Sequence, residues 1–323
     1  MHHEYVIKLN LRLVMDFSVV IPVYGCKEAL PELHKRIVDV FEKMEASFEL
    51  VLVDDHDPYD SWSVVQSICD ADERVYGIKL ARNFGQIRAI TAGLDCCHGD
   101  WVVVMDCDLQ DRPEAIPQLY NKALEGFDVV FAKRVERKDS ALTMALSRAF
   151  YKVYEYFTDG SYDPSLCNFS IARRAVISQY CSMREHNRGY TMFIKWLGFR
   201  QTAIEIVGDE RFAGESSYSF RKKLNMAFEL ITAQSNKPLK FAVNVGFAMS
   251  FVALLVLIAA IVQKICVPGI QVGWTSLLCS IFFMGGLILS AIGIVGLYVG
   301  NIFTEVKNRP LYVIEKECNG KDE

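Results

Sequence analysis

The sequence predicts an α/β domain on a mostly parallel sheet, followed by an interfacial helix and a two-helix membrane hairpin. Three observations lead there. Apolar strand-like runs alternate with stretches of helical periodicity through the N-terminal part of the chain, several of those runs end in polar residues, and two long charge-free segments lie near the C-terminus.

The first strand is "SVVIPVY", and the stripe after it, Leu30, Leu33, Ile37, Val40, Phe41 and Met44, is spaced as one helical face. "FELVLVDD" is the second strand, with a helix from about Trp62. "VYGIKLA" is the third, with a helix from about Gln86, and "WVVVMDCD" is the fourth. Pro113 opens the next helix, as proline at a first helical position does, and "DVVFAKR" comes next as a strand. Near-continuous apolar strands alternating with helices mean a parallel sheet covered on both faces. In such sheets ligands sit outside the carboxyl ends of the strands. Those ends carry Tyr24, then Asp54 and Asp55, then Arg82 and Asn83, then Asp106 and Asp108.

The fourth strand ends in "MDCDLQDRPE". One reading is a strand leaving the core through a polar turn, since Asp and Pro stop ladders for local reasons. The other is that Asp106 and Asp108, two residues apart, converge with Gln110 on one divalent ion, Mg²⁺ or Mn²⁺. Such hard cations take oxygen ligands and usually substrate phosphates as well.

Composition determines the character of the C-terminal part. The 323 residues exceed one average domain. Hydrophobic residues make up 51% beside 23% charged, with a mean hydropathy of +0.17, so the apolar excess is concentrated somewhere. It lies in two spans, about 241–263 and 274–303, each exceeding the roughly 20 residues a membrane helix needs. Lys237 and Lys240 precede the first, Lys307 and Arg309 follow the second, and the joining loop "QKICVPGIQVG" holds only Lys264. The positive-inside rule then puts both ends of a multi-pass protein of the cytoplasmic membrane in the cytoplasm.

Residues 218–235 put Phe220, Leu224, Phe228 and Ile231 on one stripe, with Arg221, Lys222 and Lys223 to the side. That suits an interfacial amphipathic helix drawn to anionic lipid, or a helix packed on the preceding domain. The expected division is therefore 1–217 as the cytosolic domain, 218–238 as the juxtamembrane helix, 239–304 as the membrane hairpin and 305–323 as a cytosolic tail.

The net charge of −4 argues against a general nucleic-acid binder. Ten cysteines lie in no metal-ligand or disulfide-scaffold spacing, and reduced cytosolic thiols are the simplest reading. "MHHEYVIKLNLRLV" lacks the features of a signal peptide, and Met15 is a second candidate start.

"SVVIPVYG", "LVDDHDPYDSW", "ARNFGQIRAITAGL", "MDCDLQDRPE" and "ERFAGESSYS", in this order and with two spans after them, resemble the family-2 glycosyltransferases that act on polyprenyl phosphate. These are the dolichyl-phosphate-mannose-synthase-like enzymes and their bacterial relatives. The resemblance runs from about Asp16 to Pro310. It implies a GT-A (Rossmann-like) fold, a nucleotide-sugar donor with UDP favoured, an undecaprenyl-type phosphate acceptor, a divalent metal and inversion at the anomeric carbon.

By the same resemblance Asp106, Asp108 and Gln110 match the metal and diphosphate motif. Pro22, Tyr24 and Asp55 match the nucleoside pocket, with Asp54 beside it. Arg134 and Arg148 match arginines that hold the lipid phosphate, and Arg211 a further phosphate-side arginine; with Asp108 these form the expected catalytic set. Guanidinium groups bind phosphate oxygens bidentately, and a phosphate nucleophile that is already ionised needs steering more than a general base. Asp111 and Glu114 are expected in a first helical turn, where acids suit the dipole.

Departures stand beside the matches. His56 and Asp57 replace a common small pair, Asn168 a common Asp, and Ser217 a common Lys. The absence of Gln-x-x-Arg-Trp speaks against polymer extension. Transfer to a lipid-diphosphate-linked sugar, which needs a general base, is the enzymatic alternative. A non-catalytic sugar-nucleotide-binding or lipid-sugar translocation protein is the other. A homo-oligomer stays open.

Overall fold

The protein is described here by a computed structural model covering residues 15–134, 166–206, 237–266 and 273–320. Its described residues fall into two units, one holding 15–134, 166–206 and 310–320 and the other 237–266 and 273–309.

The first unit is an eight-stranded sheet. Its strands are β1 (Phe17–Val23), β2 (Phe48–Asp54), β3 (Val75–Leu80), β4 (Trp101–Val104), β5 (Val129–Arg134), β6 (Leu166–Arg173), β7 (Gln201–Ile206) and β8 (Ile314–Cys318), in the order β7-β5-β6-β4-β1-β2-β3-β8. The centre is parallel, β1 pairing with both β2 and β4 and β2 with β3. β6 is antiparallel to β4 and β5, and β8 is antiparallel to β3. β1 and β2 are buried at every residue, which is why they read as unbroken apolar runs.

Helices α1 (Leu30–Met44) and α2 (Ser61–Ala71) cover one face, their apolar stripes joining a core with Phe17, Val19, Leu50 and Val103. Helix α3 (Gln86–Cys96) covers the other with α5 (Arg174–Ser182) and α6 (Tyr190–Trp196), over Val20, Val51 and Val104. The approach of α3 is close enough to need glycine: a Cβ on Gly93 would run into the Val20 side chain. Pro113 opens a single 3₁₀ turn, Pro113–Ala115, ahead of α4 (Ile116–Leu124).

The entry to β4 is fixed by a buried acid. Glu49 Oε1 accepts the Ser18 hydroxyl (2.6 Å) and the His98 amide, while Ser18 Oγ accepts the Gly99 amide at 2.7 Å. Pinning the start of so short a strand pins the polar residues at its end.

One expectation needs correcting. The cysteines are not all free thiols, because the structure joins Cys26 to Cys107 and Cys69 to Cys318. Cys96, Cys97 and Cys181 are free thiols among the described residues. The sheet is mostly parallel, as the strand–helix alternation predicts, with β6 and β8 running against their neighbours.

The second unit holds two long helices, α7 (Lys237–Cys266) and α8 (Trp274–Val306). Within α8, Phe283–Val306 forms 24 residues long and apolar enough to cross a membrane, with none of its most apolar stretch buried in protein. Phe247, Phe251 and Leu255 of α7 are exposed. The expected interfacial helix at 218–235 and the loop around Pro268 lie outside the described residues.

Candidate functional site

β4, β1, β2 and β3 are parallel neighbours, so their carboxyl ends meet at one edge of the sheet. There Asp55 N donates to Val23 O (3.1 Å) and Met105 N to Val20 O (3.2 Å), which carries the register one residue past the strands. β5 runs the same way as β4, so the backbone of Arg134 ends at this edge, two strands away across β6. The β4–β6 register, with Val104 opposite Ser170, continues toward Asp106 on one strand and Asn168 on the other. Arg148, Arg211 and Ser217 lie outside the described residues.

Beyond β4 the chain keeps its alternation. Met105, Cys107 and Leu109 are buried, while Asp106, Asp108 and Gln110 are half-exposed on the opposite side. The segment turns by an Asp108 Oδ1 to Gln110 N–H bond of 3.1 Å and by Leu109 at φ +60°, a left-handed conformation that is rare for a leucine and collects at functional sites. Asp111 is buried, its Oδ2 at 3.5 Å from the Asp106 amide. Glu114 is taken up by a bidentate pair with Arg36.

Asp106 is also held from α3. Gln86 Nε2 donates to its Oδ1 at 2.8 Å, and Gln86 is itself set by the loop before it. That loop is cradled by Asp55, whose two oxygens accept the amides of Phe84 (2.7 Å) and Gly85 (2.8 Å). Gly85, at φ +96°, makes the turn into α3. Position is therefore passed from the end of β2 through residues 84–86 to the end of β4.

Burial raises the Asp55 carboxyl, and the two amides work against that shift. Arg88, lowered by burial, donates to Phe84 O at 2.9 Å below the same loop. Asp54 is fully buried, accepts the Asp57 amide at 2.9 Å, and is pushed up to about 6 by that burial.

At the end of β1, Pro22 is buried and Tyr24, just past the strand, is 50% exposed. His56, at φ +55°, turns toward the other flank, with Nδ1 3.2 Å from Leu80 O and 3.8 Å from the Glu315 carboxylate. Asp57 bonds the Ser61 hydroxyl at the start of α2. Sequence reasoning gives Gln86 and Arg88 no role; two polar residues opening a helix after the short loop that follows a strand end are the signal that could have found them.

Among the described residues no three His, Cys, Asp or Glu side chains gather as a metal cage. The outward pair Asp106 and Asp108, with the Gln110 amide beside them, instead suits a hard cation that keeps most of its coordination for phosphate oxygens and water.

A sheet parallel at its centre, with antiparallel strands toward its flanks, that releases a pair of aspartates from β4 fits the GT-A class of glycosyltransferases. The chain belongs to glycosyl transferase family 2, whose model matches residues 18–181. It is 33% identical to the SfII prophage-derived bactoprenol glucosyl transferase of Shigella flexneri, over 95% of this chain and 99% of that one. It is also 33% identical to the undecaprenyl-phosphate 4-deoxy-4-formamido-L-arabinose transferase of Proteus mirabilis, over 93% of both. Among solved structures, mannosyl-3-phosphoglycerate synthase from Rubrobacter xylanophilus shares the fold, with a TM-score of 0.50, 16% identity and coverage of 80% of this chain and 79% of that one.

Proposed function

We propose that this glycosyltransferase moves a sugar from a nucleotide sugar, with UDP favoured, to an undecaprenyl-type polyprenyl phosphate at the cytoplasmic face of a membrane. The observation that carries the reading is the carboxylate pair leaving β4, with Asp106 oriented by Gln86 at the edge where four strand ends meet. The names of the two relatives supply the acceptor class, and the differing sugars in those names leave the sugar open.

In this reading Tyr24 and Pro22 border the nucleoside and Asp55 keeps the facing loop in shape. Asp106, Asp108 and Gln110 hold a Mg²⁺ or Mn²⁺ ion. That ion, when bound, neutralises charge developing on the departing diphosphate. Arg134, Arg148 and Arg211 steer the lipid phosphate, whose ionised oxygen attacks the anomeric carbon from the face opposite the diphosphate. α7 and α8 together form the hairpin that keeps this domain where such a lipid's headgroup emerges.

The test incubates purified protein in detergent with polyprenyl phosphate, Mg²⁺ or Mn²⁺ and a panel of nucleotide sugars, and weighs the lipid products by mass spectrometry. One donor should yield a polyprenyl-phosphate sugar. The product should vanish with excess chelator and fall by about a hundredfold or more in Asp108→Asn, the scale of losing one preorganised transition-state contact. Undiminished transfer in chelator, or transfer only to a lipid-diphosphate-linked sugar, would overturn it.

A further inference from the structure

We propose that Cys26 and Cys107 form a reversible disulfide that sets the affinity of the donor site. This rests on reading the β1–β4 edge as that site. Cys107 stands between Asp106 and Asp108, and Cys26 two residues past Tyr24, so one bond joins the loop bordering the nucleoside to the segment bearing the carboxylates.

The two Cα atoms are 6.2 Å apart across 81 residues of chain, a separation that a disulfide spans. Both side chains are buried, 6% and 7% exposed, on the core side of their segments. The cross-link therefore lies beneath the face that carries Asp106, Asp108 and Gln110 and leaves that face clear. It also reaches α1, because Cys26 O accepts the Ala29 amide (3.0 Å) ahead of the helix.

The two segments have no continuous ladder to hold them at this point. The β1–β4 ladder runs from Phe17 opposite Trp101 to Val20 opposite Val104, and one residue on the Met105 amide bonds Val20 O. With the disulfide formed, Tyr24 and the carboxylates keep one spacing. With two thiols in its place, the two loops move independently, and a ligand that contacts both must order them as it binds.

The chemistry is thiol–disulfide exchange with a small-molecule disulfide. One cysteine thiolate attacks the reagent's S–S bond and releases one reagent thiol. The other cysteine then attacks the mixed disulfide and releases the second. Two protein thiols lose two electrons and two protons, and one reagent disulfide becomes two thiols. Cys26 is the point of entry, because Tyr24, Gly25 and Glu28 around it are exposed. In a cytosol poised toward thiols such a bond is conditional rather than permanent.

The full chain in detergent, as Cys69→Ala so that the second disulfide is silent, would be equilibrated in oxidised or reduced glutathione. Two-step alkylation with peptide mass analysis would read the bond, and calorimetry would read UDP binding with Mn²⁺. Residues 26 and 107 should be protected together in the oxidised sample. UDP affinity should fall by about tenfold on reduction, the scale of losing roughly one well-placed contact, and recover on reoxidation. Adding Cys26→Ala should fix the reduced-state affinity and abolish the response.

Free thiols at 26 and 107 in the oxidised sample overturn the proposal, and so does equal UDP affinity in the two states. The latter leaves the donor edge standing. UDP binding to neither state removes the donor edge and the switch with it.

Discussion

Asp54 carries the sharpest conflict between folding and chemistry in the chain. It is fully buried at the end of β2, Oδ2 has no hydrogen-bond partner among the described residues, and burial lifts its pKa from 3.8 to about 6. A raised carboxyl pKa means that the folded state binds a proton the unfolded state has released. Stability from this group is thus full below 3.8 and is lost as pH rises to about 6. Asp54→Asn keeps the acceptor for the Asp57 amide and removes the ionisation. Its melting temperature relative to wild type should improve by a few degrees from pH 4 to pH 6 and level off above, read by thermal melts in matched buffers. A pH-independent difference would refute the raised pKa. A carboxylate kept at such a cost has a functional candidate beside it in Asp55. The outward face of "DCDLQD" was legible because an alternation of period two survives the strand's end. Gln86 was not legible, because its role depends on α3 delivering it to a residue twenty positions further on.

At the scale of elements, β1 to β5 could be read from composition, since these strands leave apolar runs closed by glycine or by polar and charged residues. β6 and β8 could not. "IEKEC" is charged, as edge strands are, and becomes a strand only through β3, far back in the chain. What holds it is equally non-local. Tyr312 OH donates to Asp95 Oδ2 at 2.7 Å, where Arg184 also binds. Asn319 Nδ2 lies 2.6 Å from Cys69 O and 3.0 Å from Val75 O, tying the chain to the end of α2. Asn319 has φ +55°, so Asn319→Gly keeps the backbone and removes only the amide. Denaturant titration should find a loss of about 0.5 to 1.5 kcal/mol per net hydrogen bond removed. No loss would make the edge contacts incidental. The disulfide partners share this illegibility, for nothing local to Cys26 points to Cys107.

For the whole molecule, one sheet contains strands from both sides of α7 and α8 in the sequence. β3 and β8 can pair only if the chain comes back to the side it left, so any membrane crossings between β7 and β8 must be even in number. If α8 spans, α7 is its return. Single-cysteine labelling in sealed vesicles should accordingly find positions near Pro268 on one side and Ser47 and Gly320 together on the other, and labelling of Gly320 from the side of Pro268 would contradict the strand pairing. The same strand imposes an order on synthesis. β8 is translated after both long helices, so the outer edge of β3 waits unpaired while they are made. The nascent catalytic domain must tolerate an open, adhesive edge while α7 and α8 are made, and its completed form reports that both helices have been translated.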